Sequence, residues 1–278
     1  MDAHKISANQ AKEQWWWSKF KEKDKDKDSH PWVGKVLSSA HNQSVSVSQN
    51  TTTLRMADAA QQQQQQRRRR RRIVVLISGS GTNLQALIDA QNTPALPDVE
   101  IVLVISNRKA AYGLTRAANA DPPIPTGYLA LQPYLKADPK RTRDTYDVEI
   151  ARMVLEARPD IVVLAGWMHV FSEGFLDTVG QQRQLTVINL HPALPGAFDG
   201  AHAIERSYEA FQKGEVEKVG AMVHRVVKEV DRGEPVIVRE VEIKKDESLE
   251  AYEERLHRTE WEIIVEGTRK VLDEIPPT

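Results

Sequence analysis

The stretch IVVLISGSGTNLQALI, residues 73–88, joins an apolar run to a glycine-rich turn and then to a helical pattern. Its first part, residues 73–78, is short and rich in β-branched residues, which is typical of a strand buried on both faces. Leu84, Leu87 and Ile88 then recur at helical spacing. The stretch therefore predicts a buried strand, a tight turn and a helix.

The same alternation of strand and helix continues towards the end of the chain. Further strands are predicted at residues 99–106, 127–131, 161–166 and 186–190, with a strand pair at 221–227 and 236–243. Helical stripes are formed by Tyr146, Ile150, Met153 and Ala157, by Ile204, Tyr208 and Phe211 before Gly214, and by Leu249, Tyr252, Leu256 and Ile263. Because strands alternate with helices, the sequence predicts an α/β fold with a mainly parallel sheet and helices on both faces.

The first 72 residues have a different composition from the rest. They contain 15 Lys and Arg against 7 Asp and Glu, whereas residues 73–278 contain 23 against 32. They also include the alternating run KEKDKDKD, six consecutive glutamines and six consecutive arginines. Such segments bury too little apolar surface to offset their chain entropy. The sequence therefore predicts a disordered low-complexity extension over residues 1–72 and a catalytic domain over residues 73–278.

The arginine run at residues 67–72 has three interpretations: an RNA-binding segment, a nuclear-localisation signal or a solvated tail. The last is favoured, so nucleic acid is not the expected partner. The chain has no cysteine, which excludes disulfides and thiol catalysis. It contains no apolar run of about 18 residues, so no membrane span is expected. A cytoplasmic protein is predicted.

The turn SGSGTNL, residues 78–84, resembles a phosphate-binding loop. Backbone N–H groups and a helix N-terminus favour an anion at such a strand-to-helix turn. Glycines at Gly79 and Gly81 allow close approach, and Thr82 or Asn83 can cap the helix or donate to a phosphate. Leu84 occupies the position of the third glycine of a dinucleotide fingerprint, so a dinucleotide-binding module is disfavoured. A tight turn without a ligand remains the alternative.

Asn189 and His191, in INLHPALPG, come at the end of a predicted strand. Residues i and i+2 of a strand point to the same side, so both side chains can face one reacting atom. An amide donor beside an imidazole suits acyl transfer, which needs an oxyanion donor and a group that handles a proton. Asp231, in VDRGEPV, is expected in a turn where its carboxylate would raise the pKa of His191. Taken singly, Asp231 also fits a turn former and His191 a structural residue.

Three segments together resemble the glycinamide-ribonucleotide formyltransferase family. They are SGSGTNLQALI, then AGWMHVF with INLHPALPG, and finally VDRGEPV. The resemblance extends over nearly all of residues 73–265 and is greatest to fungal members. It implies a Rossmann-like formyltransferase fold and a step of purine synthesis. It also implies 10-formyltetrahydrofolate as the formyl donor and 5-phosphoribosylglycinamide as the acceptor.

The resemblance also implies roles for individual residues. Asn189, His191 and Asp231 would be catalytic. The acceptor substrate would be bound by Gly81, Thr82, Asn83, His257, Arg258, Thr259 and Glu260. The folate would be bound by Arg143, Met168, His169, Val170, Phe171, Asn189, Val227, Lys228, Glu229, Val230 and Asp231. His224 matches a family histidine near the active site.

The sequence departs from bacterial members at two places, since His169 stands where they commonly have Arg, and Ala221–Met222 where they have Thr-Ser. No metal is expected, and the predicted partners are the two small-molecule substrates, with a monomer or homodimer as the assembly. The alternatives are a related formyltetrahydrofolate hydrolase or formyltransferase, and an RNA-associated protein acting through the arginine run.

Overall fold

A computed structural model describes residues 70–183 and 185–276, except for the side chains of Gln182 and Arg183. The extension predicted to be disordered lies outside the described residues, apart from residues 70–72. The strands are β1 (Arg71–Ile77), β2 (Val99–Ser106), β3 (Thr126–Tyr128), β4 (Ile161–Leu164), β5 (Thr186–His191), β6 (Val219–Arg225) and β7 (Pro235–Val241). The helices are α1 (Thr82–Ala90), α2 (Tyr112–Ala118), α3 (Leu131–Lys136), α4 (Arg143–Glu156), α5 (Glu173–Arg183), α6 (Ala203–Gln212) and α7 (Leu249–Glu274).

The strands form one sheet in the order β3-β2-β1-β4-β5-β6-β7. The pairs from β3 to β5 are parallel. The last two pairs, β5 with β6 and β6 with β7, are antiparallel. The prediction of a mainly parallel sheet in an α/β fold is therefore confirmed.

Strand β1 is buried on both faces and divides the core into two layers. Ile73, Val75 and Ile77 face a layer shared with α1, α2 and α7. Val74 and Leu76 alternate with them and face a second layer shared with α4 and α5. This alternation is the period-two pattern of a strand, so helices cover both faces of the sheet as predicted.

Strand β1 begins at Arg71, two residues before the predicted start of the domain. The Arg71 guanidinium donates to the carbonyl oxygens of Ile275 and Pro276 at the end of α7. The Arg72 backbone N–H donates to the Asp160 carboxylate, and its guanidinium donates to the carbonyl oxygen of Ala157. These two arginines therefore belong to the folded sheet, because main-chain acceptors bind their charged groups.

The helices α2, α3 and α5 were not predicted from the sequence. The first two are only 7 and 6 residues long, and such short segments contain too few apolar positions to show a helical period. Strand β3 has three residues rather than the five predicted, because α3 begins at Leu131. None of the helices within residues 70–183 and 185–276 is long and apolar enough to cross a membrane.

Candidate active site

The parallel part of the sheet has its topological switch point between β1 and β4. The strand that follows β1 in the chain lies on one side of it, and the strand that follows β4 lies on the other. Connections from the carboxyl ends of these two strands diverge, and ligands of open α/β sheets bind in the crevice that results. The glycine loop (residues 78–81) follows β1, and the β4–α5 segment (residues 166–172) follows β4.

The glycine loop is shaped by a close contact with the start of α2. Gly81 is the N-cap residue of α1 and has a φ of 73°, in the left-handed region. A Cβ atom at Gly81 would lie 2.6 Å from the Cα of Gly113. The backbone N–H of Gly113 also donates to the Gly79 carbonyl at 3.2 Å. Two glycines that face each other are thus needed to hold this turn, with the helix N-terminus open to an anion.

Ser78 joins the glycine loop to the β4–α5 segment. Its hydroxyl accepts a hydrogen bond from the backbone N–H of Met168 at 2.7 Å. Its own backbone N–H donates to the carbonyl of Gly166 at 3.0 Å. The side chain is buried, so these bonds are shielded from water. The two loops at the switch point are therefore held at a fixed separation.

Asn83 and Glu260 meet beside the glycine loop. The Asn83 amide donates to the Glu260 carboxyl group at 3.3 Å, and both side chains are buried. Burial raises the pKa of Glu260, an effect that the charge of His257 and the bond from Asn83 only partly offset. The amide oxygen of Asn83 has no hydrogen-bond partner among the described residues. A buried oxygen without a partner indicates a position where a ligand donor can bind.

The residues just before Glu260 that were also predicted to bind the acceptor, His257, Arg258 and Thr259, lie on α7 as well. Arg258 donates to Glu254 at 2.5 Å, and the Thr259 hydroxyl donates to the Arg255 carbonyl at 3.3 Å. Both bonds stay within the helix. Of the four predicted α7 residues, the structure therefore brings Glu260 into hydrogen-bond contact with the first turn of α1.

The structure brings Asn189, His191 and Asp231 together. Asn189 and His191 lie on β5, and the Asp231 carboxylate is 3.4 Å from the Asn189 amide and 3.4 Å from Nδ1 of His191. Asp231 has a φ of 56° in the β6–β7 turn (residues 226–234), and it accepts a hydrogen bond from the Gly200 backbone N–H at 2.8 Å. The remote carboxylate thus reaches both strand residues from a left-handed turn position.

His224, on the neighbouring strand β6, completes this cluster. Its Nδ1 lies 2.9 Å from the Arg225 carbonyl oxygen, which can only accept, so Nδ1 carries a hydrogen. Its Nε2 lies 3.1 Å from the Asn189 amide nitrogen and 3.5 Å from the Asp231 carboxylate. In the neutral ring Nε2 accepts from Asn189. The Asn189 amide group therefore points towards two acceptors.

Burial lowers the pKa of His191, although the Asp231 carboxylate acts in the opposite direction. The expectation that Asp231 would raise this pKa above its ordinary value is wrong in its net sign. The imidazole is only 3% exposed. The free-energy cost of removing its positive charge from water is larger than the stabilisation by the carboxylate 3.4 Å away. Near neutral pH the ring is therefore mainly uncharged.

Asp231 itself is held in the ionised form. Its partial burial opposes ionisation, but the contact with His224 and the hydrogen bond from the Gly200 backbone N–H outweigh that cost. These two interactions and the proximity of His191 lower the pKa of Asp231. An ionised carboxylate faces Nδ1 of His191 and favours a hydrogen there.

The β4–α5 segment points its side chains in alternate directions. Met168 is 68% exposed and Val170 is 49% exposed, which is unusual for large apolar side chains. His169, between them, points inward, and its Nε2 lies 2.6 Å from the carboxylate of the buried Asp147. Phe171 stacks on Phe175 with ring centroids 3.7 Å apart. The segment thus offers an apolar outer edge but keeps the imidazole inside.

The β6–β7 turn is a second segment that exposes apolar side chains. Val227 and Val230 are exposed, and Lys228 makes an ion pair with Glu173 at the start of α5. Exposed pairs of this kind contribute little to stability, but the contact shows that the turn and the start of α5 are neighbours. Glu229 is exposed and its backbone carbonyl accepts from the Arg232 N–H at 3.3 Å. Arg143, at the start of α4, donates to the carbonyl of Val170.

Three residues of the site were missed by the sequence reasoning. Gly113 and Arg116 support the glycine loop from α2, and the Arg116 guanidinium donates to the Ser80 carbonyl at 2.9 Å. Asp147 supports the β4–α5 segment from α4. One sequence feature pointed to Asp147: it is a charged residue directly after Tyr146, the first apolar residue of the stripe that predicts a helix.

Thr82 opens α1 and is partly exposed at the mouth of the glycine loop, where it was predicted to meet a ligand. Within the described ranges, no group of three or more His, Asp and Glu side chains is arranged to hold a metal ion.

A single sheet with helices on both faces, and with a glycine loop and an Asn–His–Asp cluster at the carboxyl ends of its strands, defines an α/β enzyme of the Rossmann-like type. The family model described as "Formyl transferase" matches residues 71–268. The chain belongs to this family.

Similar proteins include the phosphoribosylglycinamide formyltransferases of Schizosaccharomyces pombe and Saccharomyces cerevisiae. The first is 48% identical over 199 residues, covering 71% of this chain and 95% of that protein. The second is 47% identical over 211 residues, covering 72% and 96%. The crystal structure of phosphoribosylglycinamide formyltransferase from Campylobacter jejuni matches with a TM-score of 0.62 at 30% identity, covering 73% of this chain and 97% of that one. The expected resemblance to this family is confirmed.

Proposed function

We propose that this enzyme transfers the formyl group of 10-formyltetrahydrofolate to the amine of 5-phosphoribosylglycinamide, a step of purine biosynthesis. The names of the similar yeast enzymes support this choice of reaction. The observation on which the proposal depends most is Nε2 of His191, which is buried and has no hydrogen-bond partner among the described residues. A catalytic nitrogen that handles a proton of the substrate must be left unbonded by the protein.

The acceptor substrate fits the side of the site near α1. Its phosphate would bind the glycine loop, where Gly81, Thr82 and Asn83 present backbone N–H groups at a helix N-terminus. The unpartnered oxygen of Asn83 and the buried Glu260 lie beside this loop and would bind the neutral polar groups of the glycinamide side. His257, Arg258 and Thr259 precede Glu260 on α7 and would bind the acceptor from the same side.

The formyl donor fits between the β4–α5 segment and the β6–β7 turn. Met168, Val170, Val227 and Val230 expose apolar surface that would cover the flat pterin ring. The backbones of these two segments would bind its polar edge. Arg143, beside Val170, would bind the negatively charged glutamate tail. No metal is needed for this assignment.

His191 and Asn189 stabilise the charge that develops during the attack. The uncharged amine attacks the formyl carbon directly, so the carbonyl oxygen becomes an oxyanion and the amine becomes positive. The hydrogen bond from the Asn189 amide to Asp231 is 3.4 Å long, which is at the limit for a hydrogen bond. The amide hydrogen that makes this weak bond is therefore the one that would turn to the oxyanion. Preorganised donors of this kind contribute on the order of 3 kcal/mol each.

His191 transfers the proton between the two nitrogens. Asp231 favours a hydrogen on Nδ1, which leaves the lone pair of Nε2 facing the substrates. Nε2 accepts the proton from the attacking amine, and the resulting imidazolium donates to the oxyanion. It then gives the proton to the folate nitrogen as the carbon–nitrogen bond to the donor breaks. The lowered pKa of His191 suits this sequence, because the ring begins uncharged.

The reaction is tested with the full chain and 10-formyltetrahydrofolate by following the absorbance change of the folate. We expect loss of the formyl donor only when 5-phosphoribosylglycinamide is present. Release of formate at the same rate without the acceptor would instead identify a hydrolase, and no turnover in either mixture would reject formyl transfer.

Replacing Asp231 with asparagine is expected to lower kcat by about 10² and to move the acidic limb of the pH–rate profile to lower pH. The carboxylate favours the imidazolium, so its removal lowers the pKa of His191 further. Since protonation removes the Nε2 lone pair, the enzyme would lose activity only at a lower pH than the wild type. Initial rates at saturating substrates between pH 5 and 9 measure both effects.

Asp246→Asn is the matched control, because Asp246 is also an aspartate with a positive φ, of 62°, but is exposed. It should leave both kcat and the profile unchanged. An acidic limb that stays in place in Asp231→Asn would show that Asp231 does not tune His191.

A further inference from the structure

Asp147 is a fully buried carboxylate with no role in the reaction described above. It lies on α4, and its side chain has no exposure to solvent. A buried carboxylate is costly unless hydrogen bonds and opposite charge compensate for the lost water. Both of its oxygens are bonded, one to Nε2 of His169 at 2.6 Å and the other to the backbone N–H of Ser172 at 2.7 Å.

Both partners belong to the β4–α5 segment. They are three residues apart, so a single carboxylate spans the part of the segment that contains Val170. At its other end the segment is held by the bond from the Met168 N–H to Ser78. The backbone is thus fixed at positions 168 and 172, and the side chain at position 169, although this stretch contains no regular secondary structure.

We propose that Asp147 is a positioning residue for the formyl donor. By drawing His169 inward it turns Met168 and Val170 outward, because neighbouring side chains of an extended segment point to opposite sides. The His169 side chain therefore anchors this segment, and the folate contact expected of this residue would be made by its backbone. This inference rests on the proposed function, since it assumes that the exposed edge receives the pterin ring.

The surroundings of His169 support an anchoring role. Its ring packs edge-on against Tyr146 and Phe171, with centroids 5.3 and 5.5 Å apart. Trp167 lies 6.3 Å away in the same orientation. The imidazole is thus enclosed by aromatic rings on α4 and on its own segment, and within the described part of the chain its hydrogen-bond partner is the Asp147 carboxylate. An inward position is specified both by packing and by this one bond.

The test compares two replacements of Asp147. Asparagine can keep both bonds, since its oxygen accepts from Ser172 and its NH₂ group donates to a neutral His169. Leucine has a similar size and keeps neither. We expect the KM for 10-formyltetrahydrofolate to rise about tenfold in Asp147→Leu and to stay near the wild-type value in Asp147→Asn. The KM for 5-phosphoribosylglycinamide and kcat should change by less than about twofold in both.

A second measurement does not depend on activity. Hydrogen exchange of the Ser172 amide should be faster in Asp147→Leu, because the bond that protects this N–H is lost. Asp144→Leu is the matched control, since Asp144 is on the same helix but exposed. It should alter neither exchange nor KM.

If Asp147→Leu does not fold, the double variant Asp147→Leu/His169→Phe decides the question. Replacing both partners of a buried pair by apolar groups is tolerated far better than replacing one. This variant should melt near the wild type and still show the raised KM for the donor. A wild-type KM for the donor in folded Asp147→Leu, or in the double variant, would overturn the inference. Inactive wild-type enzyme would instead reject the proposed function.

Discussion

Alanine in place of His191 is expected to lower kcat by about 10²–10³ while the fold is retained. The substitution removes the only ring nitrogen in the cluster that is buried and has no partner within the described residues. It also removes the group that carries the proton from the attacking amine to the leaving nitrogen. Both KM values should change little, because the imidazole contributes mainly after the attack has begun.

Steady-state rates and a thermal melt measure this effect. His191→Gln is the informative companion, since glutamine retains a side-chain donor for the oxyanion but cannot relay a proton. Its kcat should lie between those of the wild type and His191→Ala. Rates near the wild type in His191→Ala, with a normal melt, would show that the imidazole has no part in catalysis.

Alanine in place of Gly233 is expected to destabilise the protein by about 3 kcal/mol and to abolish most activity. A Cβ atom there would lie 1.6 Å from the Arg225 carbonyl oxygen. The two backbone segments cannot separate without breaking the hydrogen bond from the Arg225 N–H to the Glu234 carbonyl, which is 2.9 Å long. Separation would also move Asp231, two residues away, from His191.

Urea unfolding and kcat together check this prediction. Gly180→Ala is the control, since Gly180 lies inside α5 and an added Cβ would meet nothing within 4 Å. Alanine favours helix over glycine, so the control should be unchanged or stabilised by up to about 1 kcal/mol. If Gly233→Ala unfolds at the same urea concentration as the wild type, the turn must be able to relax, and the argument from the close approach is incorrect.

The parts of the fold that the sequence predicted are those with strong periodicity. Strand β2 has its predicted bounds, and the stripe from Tyr146 lies on α4, because long buried elements repeat their apolar residues regularly. The pairing of Asn189 with His191 followed from the period of a strand. The proximity of Asp231 to His191 could not be predicted in this way, because no local pattern encodes a contact between residues 40 apart in the chain.

The direction in which the pKa of His191 is shifted could not be predicted from its neighbours alone. A carboxylate nearby favours the charged ring, and this was visible in the sequence. The depth of burial was not, because it depends on how loops and strands pack around the ring. The inward orientation of the His169 side chain could not be predicted for a similar reason, since it depends on Asp147, which lies on α4.

The contacts of Asp231 also have a consequence for how activity returns after denaturation. Its carboxylate contacts β5, β6 and the loop at Gly200, and the contacts with Asn189 and Gly200 join residues 42 and 31 apart in sequence. Long-range contacts of this kind form late when a protein refolds. Enzymatic turnover should therefore recover only once the antiparallel edge of the sheet has docked, and it should lag behind the recovery of helical signal.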